Sequence, residues 1–141
     1  MTQIDFYILS STTPYPFIYR LLEKVYRLRH RCYIQCSDNR LAEEIDAGLW
    51  SYRQDSFIPH RRQQGESSDL LTPITIGSNP ERQEHDDLLL NLDGAVPPLF
   101  SRFRRVAEVI TSAEEEKTEG RARYLYYRQR GYPLNSHTIK S

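Results

Sequence analysis

Lys117, Arg121, Tyr124 and Arg128 are the residues whose types and spacing best suit binding chemistry. On a helix, at about 100° per residue, they fall in one narrow stripe that sets three cations around an aromatic ring. An arginine fork grips a carboxylate or a phosphate, and a tyrosine receives an apolar side chain or a base. Charges alone at this spacing describe a solvated helix face. The further tyrosines Tyr126, Tyr127 and Tyr132 close by turn the reading towards a recognition surface. A second cluster joins Trp50 to Phe57, Ile58, Pro59 and His60. It is either a loop that caps the core or an apolar patch that a partner covers.

Catalytic and cofactor chemistry finds no comparable support. The loop after the first apolar run, Ser10 to Pro16, has no glycine to let a pyrophosphate approach, and its two prolines remove N–H donors. Neither a phosphate-binding G-x-x-x-x-G-K-[ST] motif nor a G-x-S-x-G elbow occurs. Asp55, Ser56 and His60 lie near one another in sequence, but a triad needs tertiary geometry that one loop rarely supplies. Cys32 and Cys36 are four apart in a strand-like run, too far for a disulfide at about 3.3 Å per residue. With His30, His60, His85 and His137 scattered, no four-ligand metal set forms. The expectation is free buried thiols in a reducing compartment, no metal and no cofactor.

The elements that must position these residues follow from periodicity. Residues 4–9 (IDFYIL) read as a strand, and Ile18, Leu21, Leu22, Val25 and Leu28 as a helical stripe. RCYIQC (31–36) is a second strand. Ser37-Asp38 caps a helix with Leu41, Ile45 and Leu49 on its apolar face. Residues 51–72 show neither period and read as a long loop, and PITIG (73–77) and DLLLNL (87–92) as buried strands. VPPLFSRF predicts a turn with one helical turn, and RVAEVI (105–110) the last strand. Thr111 and Ser112 each precede a glutamate by three residues, Glu114 and Glu115, as capping boxes of a helix that ends near Arg130 and Gly131. The expected fold is α/β: a single domain over residues 1–141, with one open, mainly parallel sheet and helices on both faces, Rossmann-like without nucleotide-binding motifs.

Composition agrees. At 141 residues and 38% hydrophobic, the chain is one globular domain without a run long enough to cross a bilayer. Its start, MTQIDFYIL, reads as a strand and not as a signal peptide, so the expected location is the cytoplasm. Net charge is zero, yet residues 117–141 carry six Lys/Arg against one acid. A local basic patch on a neutral chain points to a local acidic partner.

Three ordered blocks carry a resemblance as well: AEEIDAGLWSYRQDSFIPH (42–60), DLLLNLDGAVPPLFSRFRRVAEVI (87–110) and GRARYLYYRQRGYPLNSH (120–137). Together with DFYIL and the helix after it, they resemble the chi subunit of bacterial DNA polymerase III over nearly the whole chain. Residues 61–85 depart, with Gly65-Glu66 left where the family has a glycine-rich segment. The resemblance implies a non-catalytic accessory protein of the clamp loader. Such a protein is tethered by the psi subunit and binds the acidic C-terminal tail of single-stranded DNA-binding protein. Pairing with an iron–sulfur DNA helicase through the psi-binding surface is implied too, with DNA met only indirectly and no membrane. By position, Trp50, Phe57, Pro59 and His60 fall on the psi surface, and Arg121, Tyr124 and Arg128, with Lys117 and Ile110 beside them, on the tail site. Leu125 stands where the family pattern is basic.

The tail's chemistry suits the stripe: a terminal phenylalanine with its α-carboxylate, preceded by acids, meets an arginine and apolar neighbours. The alternative is direct binding of single-stranded nucleic acid by the same basic-aromatic face. Neutral net charge and the lack of a long basic groove argue against it.

Overall fold

The computed structural model describes residues 1–52, 58–63, 72–78 and 87–140. The first apolar run forms β1 (Gln3–Leu9), followed by α1 (Tyr15–Arg27) with Pro16 in its first turn, where no N–H partner is needed. After β2 (Cys32–Cys36), the Asp38 carboxylate accepts the Leu41 N–H at 2.9 Å and caps α2 (Asn39–Ser51), as its sequence predicts. Then come β3 (His60–Arg62), β4 (Ile74–Gly77), β5 (Leu88–Leu92), a 3-10 turn (Phe100–Arg102) and β6 (Arg105–Ile110). The chain closes with α3 (Glu114–Gln129) and β7 (Leu134–Ile139).

The strands make one open sheet in the order β3-β4-β2-β5-β6-β1-β7, and every pairing is parallel. This is the expected Rossmann-like α/β fold. Successive side chains point to opposite faces, so the sheet divides its apolar residues into two cores. On one face, Ile18, Leu22 and Val25 of α1 and Ile45 and Leu49 of α2 cover Leu9, Ile34, Ile76 and Val109. On the other, Tyr127 of α3 joins Phe100 and Phe103 over Ile4, Phe6, Leu89, Val106 and Ile110.

Four sequence expectations are corrected. β6 is not the last strand: β7 follows α3 and pairs with β1 at the sheet edge. Within the expected 51–72 loop, His60–Arg62 form the edge strand β3; residues 53–57 and 64–71 lie outside the described residues. The two capping boxes do not form, because α3 begins one residue later than the Ser112 box requires and two later than the Thr111 box. Its N-cap is Ala113, without a side-chain bond, and the Thr111 hydroxyl instead lies 3.4 Å from the Glu116 carboxylate. Leu28, read as the last turn of the α1 stripe, is the C-cap and is 55% exposed.

Cys32 and Cys36 are free and buried in the α1/α2 core, and burial pushes each thiol up to about 12. The thiolate is the nucleophile, so both should resist an aromatic disulfide reagent at pH 8 and react only when guanidinium unfolds the chain. Prompt release of chromophore from the native protein would contradict this.

Candidate functional site

The α3 stripe depends on how closely the helix approaches the sheet. A side chain at Gly120 would meet Ile110 Cδ1 at 2.5 Å, so the glycine lets α3 settle directly on β6. One turn on, the Tyr124 ring packs edge-on to Phe6, with centroids 5.3 Å apart. β7 lies beyond β1 at the sheet edge. Between it and α3 a groove of about 370 Å³ remains, lined by Phe6, Ile8, Ile110, Gly120, Tyr124 and Ser136 with Lys117 and Arg121. Its floor is apolar and its cations are on the α3 side.

Four of the five residues expected at this site therefore meet in one groove: Ile110, Lys117, Arg121 and Tyr124. Arg128 is exposed and is not among the lining residues; it follows Tyr124 by one turn of α3. Lys117 is 3.5 Å from Glu114, an exposed pair of little energetic weight. Arg121 is exposed and has no ion pair among the described residues. Leu125, beside Arg121 on the helix surface, is half exposed.

Underneath, α3 is fastened by a buried polar cluster that the stripe did not reveal. Glu108 and Arg123 are 0% and 4% exposed, and Arg123 Nε donates to Glu108 Oε1 at 2.9 Å. The Tyr127 hydroxyl donates to Glu108 Oε2 at 2.7 Å, and Asn91 Nδ2 donates to the same oxygen at 3.0 Å. Arg123 Nη1 also donates to the Gly94 carbonyl at 3.0 Å. Burial pushes the Glu108 carboxyl up, against the pull of Arg123, Asn91 and Tyr127. The same burial, with Glu108 beside it, raises the Tyr127 hydroxyl above its ordinary range. Two signals for this cluster were present in the sequence. An acid inside the apolar run RVAEVI demands a partner, and Arg123 shares the helix face of Gly120 and Tyr127.

The second cluster lies on the opposite face of the sheet, at the end of α2. Trp50 is 60% exposed, and its ring is 4.9 Å from that of His60. Ile58 is buried in the α1/α2 core and anchors the chain just before Pro59 and His60, both half-buried. His60 Nδ1 is 2.7 Å from the Ile58 carbonyl. Its Nε2 is 2.9 Å from Asp46 Oδ1, an ion-pair distance without hydrogen-bond alignment. Trp50 is thus exposed at this place and Pro59 half-buried, while the His60 side chain is buried beneath the Trp50 ring; Phe57 lies outside the described residues. No helix among the described residues is long and apolar enough to cross a membrane, and no group of three metal-ligating side chains occurs among them.

A family profile described as DNA polymerase III chi subunit, HolC, matches residues 1–135. The DNA polymerase III subunit chi of Pseudomonas aeruginosa is 34% identical over 142 residues, covering 99% of this chain and 98% of its own. Its counterpart in Haemophilus influenzae is 29% identical over 139 residues, 96% of each chain. That of Escherichia coli is 26% identical over 148 residues, covering 99% of this chain and all of its own.

Proposed function

This chain belongs to the DNA polymerase III chi subunit family, the accessory subunits of the replicative polymerase, and from that premise we propose that it is a non-catalytic adaptor. One surface takes the psi subunit and so joins the clamp loader; the other takes the acidic C-terminal tail of single-stranded DNA-binding protein. An iron–sulfur DNA helicase would use the psi surface in turn.

The observation that carries this reading is the groove beside α3: an apolar floor next to exposed Arg121. A terminal phenylalanine fits such a floor, and its α-carboxylate suits the arginine fork at the rim. Lys117, Arg121 and Arg128 attract the acids that precede it, and salt screens that attraction. The Trp50 surface supports the other half of the reading. An exposed tryptophan held against a histidine is the kind of anchor that interfaces are built on. Direct stacking of bases on the α3 stripe has less support, because the Tyr124 ring is half-buried and packed against Phe6.

Calorimetric titration with a synthetic acidic peptide ending in phenylalanine tests the tail site. Arg121→Ala should weaken binding by about 1.5–3 kcal/mol, on the order of ten- to hundredfold, with the melting temperature unchanged because the side chain is exposed. Equal affinity for both proteins would remove Arg121 from the site. An oligonucleotide that displaces the peptide would favour the base-stacking alternative.

A further inference from the structure

Parallel strands with returning helices bring every strand start and every helix end to one edge of the molecule. At that edge stand Arg27, Arg29, His30 and Arg31 between α1 and β2, and Arg102, Arg104 and Arg105 leading into β6. Backbone hydrogen bonds tie the row together. The Leu88 N–H donates to the Arg31 carbonyl at 3.1 Å, the Arg105 N–H to the Asp87 carbonyl at 3.1 Å, and the Gln3 N–H to the Arg104 carbonyl at 2.9 Å. The Asp87 carboxylate, the one acid in the row itself among the described residues, accepts the Arg31 N–H at 2.9 Å. Neighbouring strands are about 4.8 Å apart, so Arg31 and Arg105, two strands away, are separated by about 10 Å. The opposite edge collects Asp38, Glu43, Glu44, Asp93, Glu114, Glu115 and Glu116, with Arg40, Arg62, Lys117 and Lys140 among them. Zero net charge therefore conceals a separation of charge along the strand axis.

Helix dipoles account for part of this pattern, since carbonyl ends favour cations. Arg27 is taken by Glu23 at 3.3 Å, and Arg105 by Asp5 at 2.7 Å. Arg29 also stands at a carbonyl end, just past the α1 C-cap Leu28, but the dipole favours a cation near that end without requiring the left-handed residue to carry it. Arg29 sits in the left-handed turn that ends α1, at φ 60°, where the His30 N–H reaches back to the Val25 carbonyl at 3.1 Å. α3 ends in the same turn, with the Tyr132 N–H on the Tyr127 carbonyl at 3.2 Å, and there the left-handed residue is Gly131 at φ 79°. A side chain in that conformation is strained and glycine is not. Arg29 is exposed and has no ion pair among the described residues. One helix thus holds a charge where its sister holds the more stable residue. Leu99 holds the same conformation at φ 61°, at the start of the 3-10 turn; at Arg29 the strain falls on an exposed charge, which points to a functional position.

We propose that this edge, centred on Arg29 and Arg31 and flanked by Arg104, binds the phosphate backbone of single-stranded DNA. Arginine forks match phosphate oxygens. Partly exposed Tyr26 and exposed His30, on either side of Leu28 and Arg29, offer rings to unpaired bases, which a duplex would hide. An acidic peptide is less well served, because these rings flank the arginines on the surface whereas the apolar groove lies beside α3. Direct contact with DNA goes beyond the adaptor reading and does not depend on it.

Fluorescence anisotropy with labelled oligo-dT at low salt, paired with thermal melting, tests the proposal. The wild-type chain should bind. Arg29→Gly should weaken binding about three- to tenfold and lower the salt slope by about 0.7. The same substitution should raise the melting temperature by about 2–4 °C, because it relieves the left-handed strain. A residue with only a structural role would not lose binding while gaining stability. Arg121→Ala should leave oligonucleotide binding as it was, and the tail peptide should not compete. Absence of binding at low salt, unchanged binding by Arg29→Gly, a lowered melting temperature, or competition by the peptide would each overturn the proposal.

Discussion

Arg123→Ala is expected to destabilise the protein by about 3–5 kcal/mol, a large part of the roughly 5–15 kcal/mol that holds a domain of this size. The change strands Glu108, which is fully buried and has Arg123 as its one cationic hydrogen-bond partner among the described residues. It also removes the bond that Arg123 makes to the Gly94 carbonyl. Melting should fall by about 10 °C or more. Removing the stranded charge should recover part of the loss, so Glu108→Gln added to Arg123→Ala should be less harmful than the two effects summed.

The pH dependence has a definite sign. Glu108 has a folded-state pKa raised by burial, and losing Arg123 raises it further. Between the unfolded pKa, about 4.3, and that raised value, the folded state holds a proton that the unfolded state releases. Stability of Arg123→Ala therefore falls as pH rises through that window, and its deficit should be larger at pH 8 than at pH 5. A deficit of under about 1 kcal/mol, the size of a surface pair, would show that the cluster does not fasten α3.

Trp50→Ala is expected to abolish co-purification with the psi subunit while leaving the domain as stable as before. The ring is mostly outside the core, so its removal opens no cavity, in contrast to truncation of a buried aromatic. At an interface centre the same truncation costs more than about 2 kcal/mol, thirtyfold or more in affinity, enough to lose a complex on a column. His60 should matter less, because Trp50 and Asp46 already flank its ring. A drop in melting temperature of the free variant would mean that Trp50 packs as a structural residue. Retained psi would mean that the surface lies elsewhere.

Much of this architecture is legible in the sequence, because burial writes a period into it. Ile18, Leu22 and Val25, or Ile45 and Leu49, can be read as helix faces because they fill a core. β5 can be read from its run of leucines because a central parallel strand is buried on both faces. The edge strands have no such imprint. β3 is His-Arg-Arg, and β7 is apolar only at Leu134 and Ile139, its termini. Pairing to β4 and β1 makes them strands, and pairing is not a local property. The stripe of Lys117, Arg121 and Tyr124 was visible because helical spacing alone gathers it, whereas the floor of its groove comes from β1, β6 and β7. Arg123 reads as one more charge in a basic tail until α3 is placed on β6 and Glu108 appears beneath it. Arg29 reads as one of several surface cations, since sequence carries no sign of φ.

Two protein partners on two surfaces of one chain is the central claim, and a bridging experiment tests it most directly. The acidic tail peptide is immobilised, the chain is added together with the psi subunit, and retained psi is measured. The wild-type chain should hold psi on the peptide. Arg121→Ala should pass through with psi still attached, and Trp50→Ala should stay on the peptide without psi, because sites on opposite faces of the sheet that share no residues respond independently. Contradiction would come from both substitutions losing the same partner, or from psi binding the peptide without the chain.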